Sequence, residues 1–259
     1  MNITLLGTGA AWPDADRSAP AFLLEHNDVP YLVDCGGGTS HQLMKAGRAP
    51  KELDNIFLTH IHIDHCVEFP ALVFGAYLTG KEGSFHLFGP QGAAKWSKSI
   101  FENTYDFAPQ MMKNLRDKEI SVITQERDEG KVFEQNGLVV EAIPVDHGFP
   151  TIAYKFSAEG QSVVFSSDTQ PCDNLVKISQ EVDLLIAECS FPEEMGVKKF
   201  HLIPSQVGQI AKEAGVKKVL LVHLFPPCKG KEEEIIAEVK KVYSGSVEIG
   251  FDLQKVLVE

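Results

Sequence analysis

Short apolar runs recur along the chain, and their length and their β-branched and aromatic content predict β-strands. The predicted strands are Ile3–Leu6, Phe22–Glu25, Tyr31–Val33, Ile56–Thr59, Phe85–Phe88, Leu138–Val145, Ile152–Phe156, Val163–Ser166, Leu184–Ala187, Val219–Val222 and Val247–Leu253. Turn-forming pairs such as Asn136-Gly137 and Glu159-Gly160 separate some of these runs and predict antiparallel hairpins. Helical spacing of apolar residues predicts helices after Thr39 and over Gln91–Glu102, Ser205–Ala214 and Glu232–Tyr243.

The alternation of strands and helices predicts an α/β fold in which helices cover a mixed sheet. No linker rich in Pro, Gly or Ser divides the chain, and a length of 259 residues suits one domain, so we expect residues 1–259 to form a single domain. Two stretches resemble each other, because each has a helix, a capping Gly and a strand that ends in His. They are 41–60 and 208–223, and their similarity predicts two related α/β halves.

Composition limits the classes of function. The chain has 24 Lys and Arg against 36 Asp and Glu, and the resulting net charge of −12 disfavours nonspecific binding to nucleic acid. Five scattered cysteines without a Cys-X-X-Cys pair argue against a disulfide framework and predict a reducing, cytoplasmic location. The apolar stretch Ala71–Leu78 is too short to span a bilayer, and no basic leader precedes Ile3, so no membrane partner is expected.

Acids and imidazoles follow many of the predicted strands. Six apolar runs are followed directly by Asp34, His60, Asp146-His147, Asp168, Glu188 and His223. Because the carboxyl ends of parallel strands meet at one edge of a sheet, where α/β folds place their sites, this pattern predicts a functional site there.

The densest group of ionisable residues is His60-Ile61-His62-Ile63-Asp64-His65. Imidazole and carboxylate groups are costly to bury unless they are paired or bind a metal. In extended backbone His60 and His62 project to one side and can share one cation, while Asp64 and His65 can turn toward a second. Mixed imidazole and carboxylate ligands favour zinc, with manganese or iron as alternatives. The competing interpretation is a solvated loop rich in His.

Three other features have structural as well as functional interpretations. Cys66 is either a metal ligand or, as most free cysteines are, a small buried apolar residue. The segment 36–38, Gly-Gly-Gly, either cradles phosphate or forms a tight loop that supports Asp34. The aromatic segment from Trp96 to Met112 is either core, a contact between subunits, or a lid over the substrate.

The motif at 60–65 resembles the His-X-His-X-Asp-His signature of the metallo-β-lactamase superfamily. The resemblance implies a four-layer αββα sandwich with pseudo-twofold halves and two divalent metal ions. It implies that one ion is held by His60, His62 and His147 and the other by Asp64, His65 and His223, with Asp168 bridging them. It also implies that Asp34 orients the ligands and that Asp64 takes part in catalysis.

Within the superfamily the chain looks like the ribonuclease Z branch, on Leu6-Gly7-Thr8-Gly9, Asp34-Cys35-Gly36 and Phe88-Gly89-Pro90. This likeness implies that Glu188 and His201 form a pair that assists protonation. Members of the branch that process transfer RNA through a protruding arm carry it between the equivalents of His147 and Asp168. This interval holds only 168 − 147 − 1 = 20 residues here, so the arm is missing and transfer RNA is disfavoured as a substrate.

The resemblance therefore implies a metal-dependent hydrolase, and we favour a phosphodiesterase in which a hydroxide between the metal ions attacks phosphorus. The expected partners are a small anionic phosphodiester or a short nucleic acid, and a second copy of the chain in a homodimer. Two alternatives remain: an acyl hydrolase, such as a lactonase, thioesterase or β-lactamase, and a noncatalytic protein that binds metal.

Overall fold

The structure, a computed structural model, describes residues 1–101 and 121–258, which form two seven-stranded mixed sheets and the helices that cover them. The first sheet has, in spatial order, strands β14 (Lys255–Leu257), β1 (Asn2–Gly7), β2 (Ala21–His26), β3 (Val29–Val33), β4 (Asn55–Phe57), β5 (Phe85–Gly89) and β6 (Val122–Glu126). The second has β13 (Ser246–Ile249), β12 (Lys218–Val222), β11 (Leu184–Glu188), β10 (Gln161–Phe165), β9 (Ile152–Ala158), β8 (Leu138–Pro144) and β7 (Gly130–Gln135).

The described helices flank the two sheets. They are α1 (Thr39–Lys45), α2 (Ile63–Cys66), α3 (Phe69–Leu78), α4 (Ala93–Ser99), α5 (Asp173–Ile178), α6 (Pro204–Ala214) and α7 (Glu232–Lys240), with short 3-10 turns at Pro50–Glu52, Glu193–Met195 and Pro226–Cys228. None of these helices is long and apolar enough to cross a membrane.

Three hydrophobic cores define the layers. One core lies between the sheets and combines residues of both, such as Phe22, Phe57 and Phe165. A second joins the outer face of the second sheet to α5, α6 and α7, and a third joins the outer face of the first sheet to α1, α3 and α4. The order of layers is therefore helices, sheet, sheet, helices, and the expected αββα sandwich is confirmed.

The two sheets share one pattern of strand pairing. From β1 to β6 the pairings run antiparallel, antiparallel, parallel, parallel, parallel, and from β8 to β13 they run in the same order. This repetition relates β4 to β11 and β5 to β12, and it supports pseudo-twofold halves. The similarity of 41–60 to 208–223 is therefore not the repeat itself, since it aligns β4 with β12.

All eleven predicted strands are present, with ends shifted by a few residues. Three observed strands were not predicted, namely β6, β7 and β14, and each is short or carries many polar residues. The apolar segment around Ala71 forms α3, and the helix predicted over 91–102 is α4. Trp96 packs on Phe69 in the third core, whereas residues 102–112 of the predicted aromatic segment lie outside the described residues.

The loops after the parallel strands contain unusual backbone conformations. Asp34 after β3, Ser167 after β10 and His223 after β12 have φ values of 58°, 59° and 58°, in the left-handed region that residues other than Gly rarely adopt. Such conformations concentrate where a fold holds functional side chains in a fixed direction. These loops bring the residues that follow the strands to one edge of the sandwich.

Gly36 allows the loop after β3 to lie close to α2. A Cβ atom on Gly36 would lie 2.1 Å from the carbonyl oxygen of Asp64 and 2.8 Å from the Cβ of Ala19. Only a residue without a side chain lets the loop after β3 pack against the start of α2.

We expect Gly36→Ala to lower the free energy of unfolding by about 3 kcal/mol, the upper range for overpacking, because the added methyl group overlaps backbone atoms. Gly75→Ala in α3 is the matched control. Its Cβ meets nothing within 4 Å, and removing a helical Gly should stabilise the protein by up to about 1 kcal/mol. Urea unfolding measures both changes, and equal stability of the two variants would contradict the close approach.

Candidate metal centre

The residues predicted to bind metal converge at the carboxyl ends of the strands. Three groups each place one ligand atom per residue within 4.8 Å of one another: His60, His62 and His147; His60, His65 and Asp168; and Asp64, His65 and His223. The polypeptide brings these residues together from the loops after β4, β8, β10 and β12 and from helix α2. Both sheets therefore contribute to the centre.

Asp168 lies between two sets of imidazoles. Its Oδ2 atom is 3.7 Å from Nε2 of His147 and 3.9 Å from Nε2 of His60. Its Oδ1 atom is 3.4 Å from Nε2 of His65 and 3.3 Å from Nε2 of His223. One carboxylate thus faces two separate sets of nitrogen donors, the arrangement needed to join two cations.

Four imidazoles are oriented by hydrogen bonds from their Nδ1 atoms. The Nδ1–H of His65 donates to Asp34 Oδ2 at 2.8 Å, and that of His147 donates to the carbonyl oxygen of Phe200 at 2.8 Å. The other two donate to hydroxyls that themselves donate to carboxylates: His60 to Thr59 Oγ1 at 3.1 Å and His223 to Ser190 Oγ at 2.9 Å. In the neutral ring, which is the form that binds a metal ion, a proton on Nδ1 leaves Nε2 with a free lone pair.

These free lone pairs point at one another. Nε2 of His65 is 3.4 Å from Nε2 of His223, and Nε2 of His147 is 3.1 Å from Nδ1 of the exposed His62. Within the described residues, the fully buried Nε2 of His60 has no hydrogen-bond partner. Converging lone pairs repel unless a cation lies among them, so the donor set fits divalent metal ions.

Charge and burial support the same conclusion. Burial lowers the pKa of His60 well below its usual value, which keeps the imidazole neutral and able to bind metal. Burial alone raises the pKa of Asp168, but His223 and His65 outweigh this effect and hold that pKa well below its usual value. Burial alone lowers the pKa of His65, whereas Asp168 and Asp34 raise it overall. The buried carboxylates thus attract positive charge to the centre.

Asp34 acts on the centre through its neighbours. Besides the bond from His65, its Oδ1 accepts hydrogen bonds from the backbone N–H of Thr59 at 2.8 Å and from the Thr59 hydroxyl at 3.0 Å. A buried carboxylate with these partners fixes both the ring of His65 and the start of the motif loop. Asp34 therefore lies within hydrogen-bond distance of one proposed ligand, His65, and of Thr59, which precedes another.

Glu188 and His201 lie together beside the second set of imidazoles. Nδ1 of His201 is 3.2 Å from both carboxylate oxygens of Glu188, and Ser190 donates from its hydroxyl to Glu188 Oε2. Burial alone lowers the pKa of His201, but the hydrogen bond and charge of Glu188 raise it overall. The ring of His201 is stacked 5.6 Å from that of His223. A protonated imidazole is thus stabilised at the edge of the centre.

Two alternative interpretations from the sequence receive clear answers. Cys66 donates from its thiol to the carbonyl oxygen of His62 at 3.2 Å, and burial raises its pKa to about 12, so it behaves as a small buried residue. The N–H groups of Gly38 and Ser40 at the start of α1 donate to Glu68 at 2.9 and 3.3 Å. These two N–H groups are therefore engaged with a carboxylate, which favours the tight supporting loop over a phosphate cradle.

A cavity of about 760 Å³ opens beside Asp64. Its walls are the loop 10–19, helices α1 and α2, and the residues Asp252 and Leu253. Asp252 fixes this wall, because its carboxylate accepts hydrogen bonds from Thr8, Ser18 and Gln42. The volume lies in the range of small-molecule sites.

Sequence reasoning missed four residues that support the site: Thr59, Gln170, Ser190 and Phe200. Thr59 and Ser190 are hydroxyl residues directly before His60 and two positions after Glu188, and this proximity was the available signal. The sequence around Phe200 and Gln170 contained no such signal. Phe200 contributes only its carbonyl oxygen, and Gln170 contacts Phe200 from a loop that is distant in sequence.

Comparison with solved structures identifies the fold. The metallo-β-lactamase fold protein YhfI from Bacillus subtilis superposes with a TM-score of 0.83 at 25% identity, covering 98% of each chain. The short form of human tRNase Z superposes with a TM-score of 0.78 at 23% identity, covering all of both chains. The metallo-β-lactamase fold is therefore confirmed.

Comparison with curated sequences gives relatives in one branch. The chain is 27% identical to ribonuclease Z of Bacillus licheniformis, covering 95% of this chain and 96% of that protein. It is 28% identical to ribonuclease Z of Ignicoccus hospitalis, covering 98% and 97%. These relatives confirm the resemblance to the ribonuclease Z branch. Residues 1–235 match one family model, and by this match the protein belongs to the family described as Anti-Pycsar protein Apyc1.

Proposed function

We propose that the protein is a phosphodiesterase that works with two divalent metal ions. The observation that carries this proposal is the position of Asp168, whose two oxygens face two separate sets of imidazoles. His60, His62 and His147 would hold one ion, Asp64, His65 and His223 the other, and Asp168 would bridge them. Divalent cations at this position supply Lewis-acid catalysis and activate water near neutral pH.

His201 is proposed as the general acid and Glu188 as the residue that orients it. Glu188 accepts from Nδ1–H of His201, which leaves Nε2–H of the protonated ring available to the oxygen of a leaving group. Loss of an alkoxide from phosphorus benefits from such a proton. The resemblance of the Glu188 and His201 pair to that of the ribonuclease Z branch supports a phosphodiester over a lactone or a β-lactam. The names of the ribonuclease Z relatives agree with this choice of a phosphodiester as the substrate.

We propose a small anionic phosphodiester, or the end of a short nucleic acid, as the substrate. A cavity of about 760 Å³ admits a ligand of that size. The interval between His147 and Asp168 contains the hairpin β9–β10, with no segment for a long arm, which disfavours transfer RNA as the substrate. Two dications against Asp64 and Asp168 leave a net positive centre that attracts an anion despite the charge of −12.

We propose zinc as the metal, because five imidazoles dominate the donor set. Purified protein should contain about two zinc ions per chain by elemental analysis, as in other sites with two metal ions. His223→Ala should reduce this content to about one. His86→Ala in β5, away from the centre, is the control and should retain both ions. If the purified protein contains manganese or iron, the assignment of zinc is wrong. If His223→Ala retains two metal ions per chain, the proposed ligand set is wrong.

The activity is tested with a panel of a bis-aryl phosphodiester, cyclic nucleotides, pre-transfer RNA, a lactone and a cephalosporin. We expect cleavage of the small phosphodiesters, namely the bis-aryl phosphodiester and the cyclic nucleotides. A chelator should abolish this activity, and added zinc should restore it. Cleavage of the lactone or the cephalosporin alone would assign the protein to the acyl hydrolases, and no cleavage by the zinc-loaded chain would favour a noncatalytic role.

Replacing His201 tests the general acid. His201→Ala should reduce kcat by about 10²-fold or more on a phosphodiester with an alkoxide leaving group, because that group needs a proton. A bis-nitrophenyl phosphodiester has a good leaving group, so the same variant should lose far less activity on it. Elemental analysis should find the wild-type metal content in the variant. An equal loss on both substrates, or a loss of metal, would reject the role as an acid.

We propose a homodimer and a cytoplasmic location as well. Support for a dimer comes from exposed apolar side chains on α1, α2 and α3 and at the end of α2, namely Met44, Ile63, Val67, Phe74 and Leu78. Support for a reducing compartment comes from the five cysteines, all of which are free thiols.

A further inference from the structure

The loop that carries His201 is attached to the metal centre through its neighbour Phe200. The carbonyl oxygen of Phe200 accepts the hydrogen bond from Nδ1–H of His147 at 2.8 Å. The next residue is His201, whose ring lies 5.1 Å from that of His147. A single peptide unit therefore connects the orientation of a proposed ligand to the position of the proposed acid.

Phe200 has a strained backbone. Its φ of 71° lies in the left-handed region, which a bulky residue adopts only when its surroundings hold it there. One such restraint is its ring, which packs so closely on Gly148 that a Cβ at that position would lie 2.5 Å from the ring. A second restraint is the hydrogen bond of its N–H group.

That second restraint is provided by Gln170. Its Oε1 atom accepts from the N–H of Phe200 at 3.2 Å, and its Nε2 atom donates to Oδ2 of Asp146 at 2.6 Å. The backbone N–H of Gln170 donates to the carbonyl oxygen of Asp146 at 2.8 Å. Asp146 directly precedes His147, so Gln170 connects both partners of the bond between His147 and Phe200.

Gln170 also follows residues that belong to the centre. Asp168 faces both sets of imidazoles, and the N–H of Thr169 donates to Oε1 of Glu188 at 2.7 Å. The segment 168–170 thus contacts, in order, the ligands, the partner of His201 and the loop of His201. None of these contacts by Gln170 is needed for the ligand set itself.

We propose that Gln170 is a positioning residue that couples cation binding at His147 to the placement of His201. A cation on Nε2 of His147 requires the proton to reside on Nδ1, where it is donated to Phe200. Gln170 holds Phe200 in the conformation that receives this bond. Because coupling between two equilibria is reciprocal, an ordered His201 loop strengthens cation binding to the same extent as the cation orders the loop.

The inference concerns the metal centre and rests on the proposed function only for the role of His201. Partners of metal-binding imidazoles affect metal affinity or activity by about 10- to 100-fold when replaced. We expect an effect of this size from Gln170, whose side chain forms its described hydrogen bonds with Phe200 and Asp146.

Gln170→Met removes both side-chain hydrogen bonds and retains the length of the side chain. Gln170→Glu retains the acceptor for Phe200 and loses the donor to Asp146. Gln180→Ala is the matched control, because Gln180 is exposed and its one side-chain hydrogen bond within residues 1–101 and 121–258 is donated to the carbonyl oxygen of Val176. Thermal unfolding of each metal-free variant shows whether it folds, and if Gln170→Met does not, Gln170→Glu decides the test.

Two measurements need no substrate. Chelator competition should show zinc affinity reduced about 10- to 100-fold in Gln170→Met, less in Gln170→Glu and unchanged in Gln180→Ala. Hydrogen exchange of residues 196–203 should slow when zinc binds to the wild type, and this slowing should be lost in Gln170→Met. A folded Gln170→Met with wild-type zinc affinity and wild-type slowing would overturn the proposal, as would a wild type that binds no divalent cation.

Kinetics separate this inference from the proposed function. On a phosphodiester with an alkoxide leaving group at saturating zinc, Gln170→Met should lower kcat with little change in KM, and Gln170→Glu should recover part of the loss. If the zinc-loaded wild type cleaves no phosphodiester, the proposed function fails, while the exchange and affinity measurements still decide whether Gln170 couples the two sites. If the wild type cleaves it and Gln170→Met has a normal kcat, the coupling to His201 is wrong.

Discussion

The arrangement of this protein depends on one electrostatic constraint, the convergence of bare imidazole nitrogens around the buried carboxylate of Asp168. Each Nδ1–H that is donated outward, to Asp34, to a hydroxyl or to a carbonyl oxygen, forces a lone pair inward. Such a cluster would be unfavourable in a protein core without positive charge between its members. The left-handed residues, the Gly36 approach and the outward hydrogen bonds all serve to hold it.

The strands of both sheets and the metal-binding motif could be predicted because their signals are local. Apolar runs marked the buried strands, and His60 to His65 are close in sequence, in the loop after β4 and the start of α2, so spacing alone suggested shared cations. The strands β6 and β14 were missed because they lie at the edges of the first sheet, where partly exposed strands carry polar residues. The internal repeat was misaligned because the helix–strand pattern recurs in every parallel crossover, and strand pairing alone identifies the true equivalents.

The supporting residues could be predicted less well, and the reason is physical. Phe200 acts through its carbonyl oxygen, which every residue has, and Gln170 acts by reaching across from another loop. Neither contribution can be detected from the local pattern of polar and apolar positions. Ser190 could be predicted in part. Its position two residues after Glu188 is visible in the sequence, but its contact with His223 is visible only in the folded structure.

The pairing of β14 with β1 has a consequence for how the molecule is made. These strands are neighbours in the first sheet, yet nearly the whole described chain separates them in sequence. During synthesis on the ribosome β1 emerges long before β14. Until β14 is made, the edge of β1 that pairs with it has no partner strand. Chaperone binding is the kind of protection that such an edge demands until β14 has been synthesised, because β2 pairs with the opposite edge of β1.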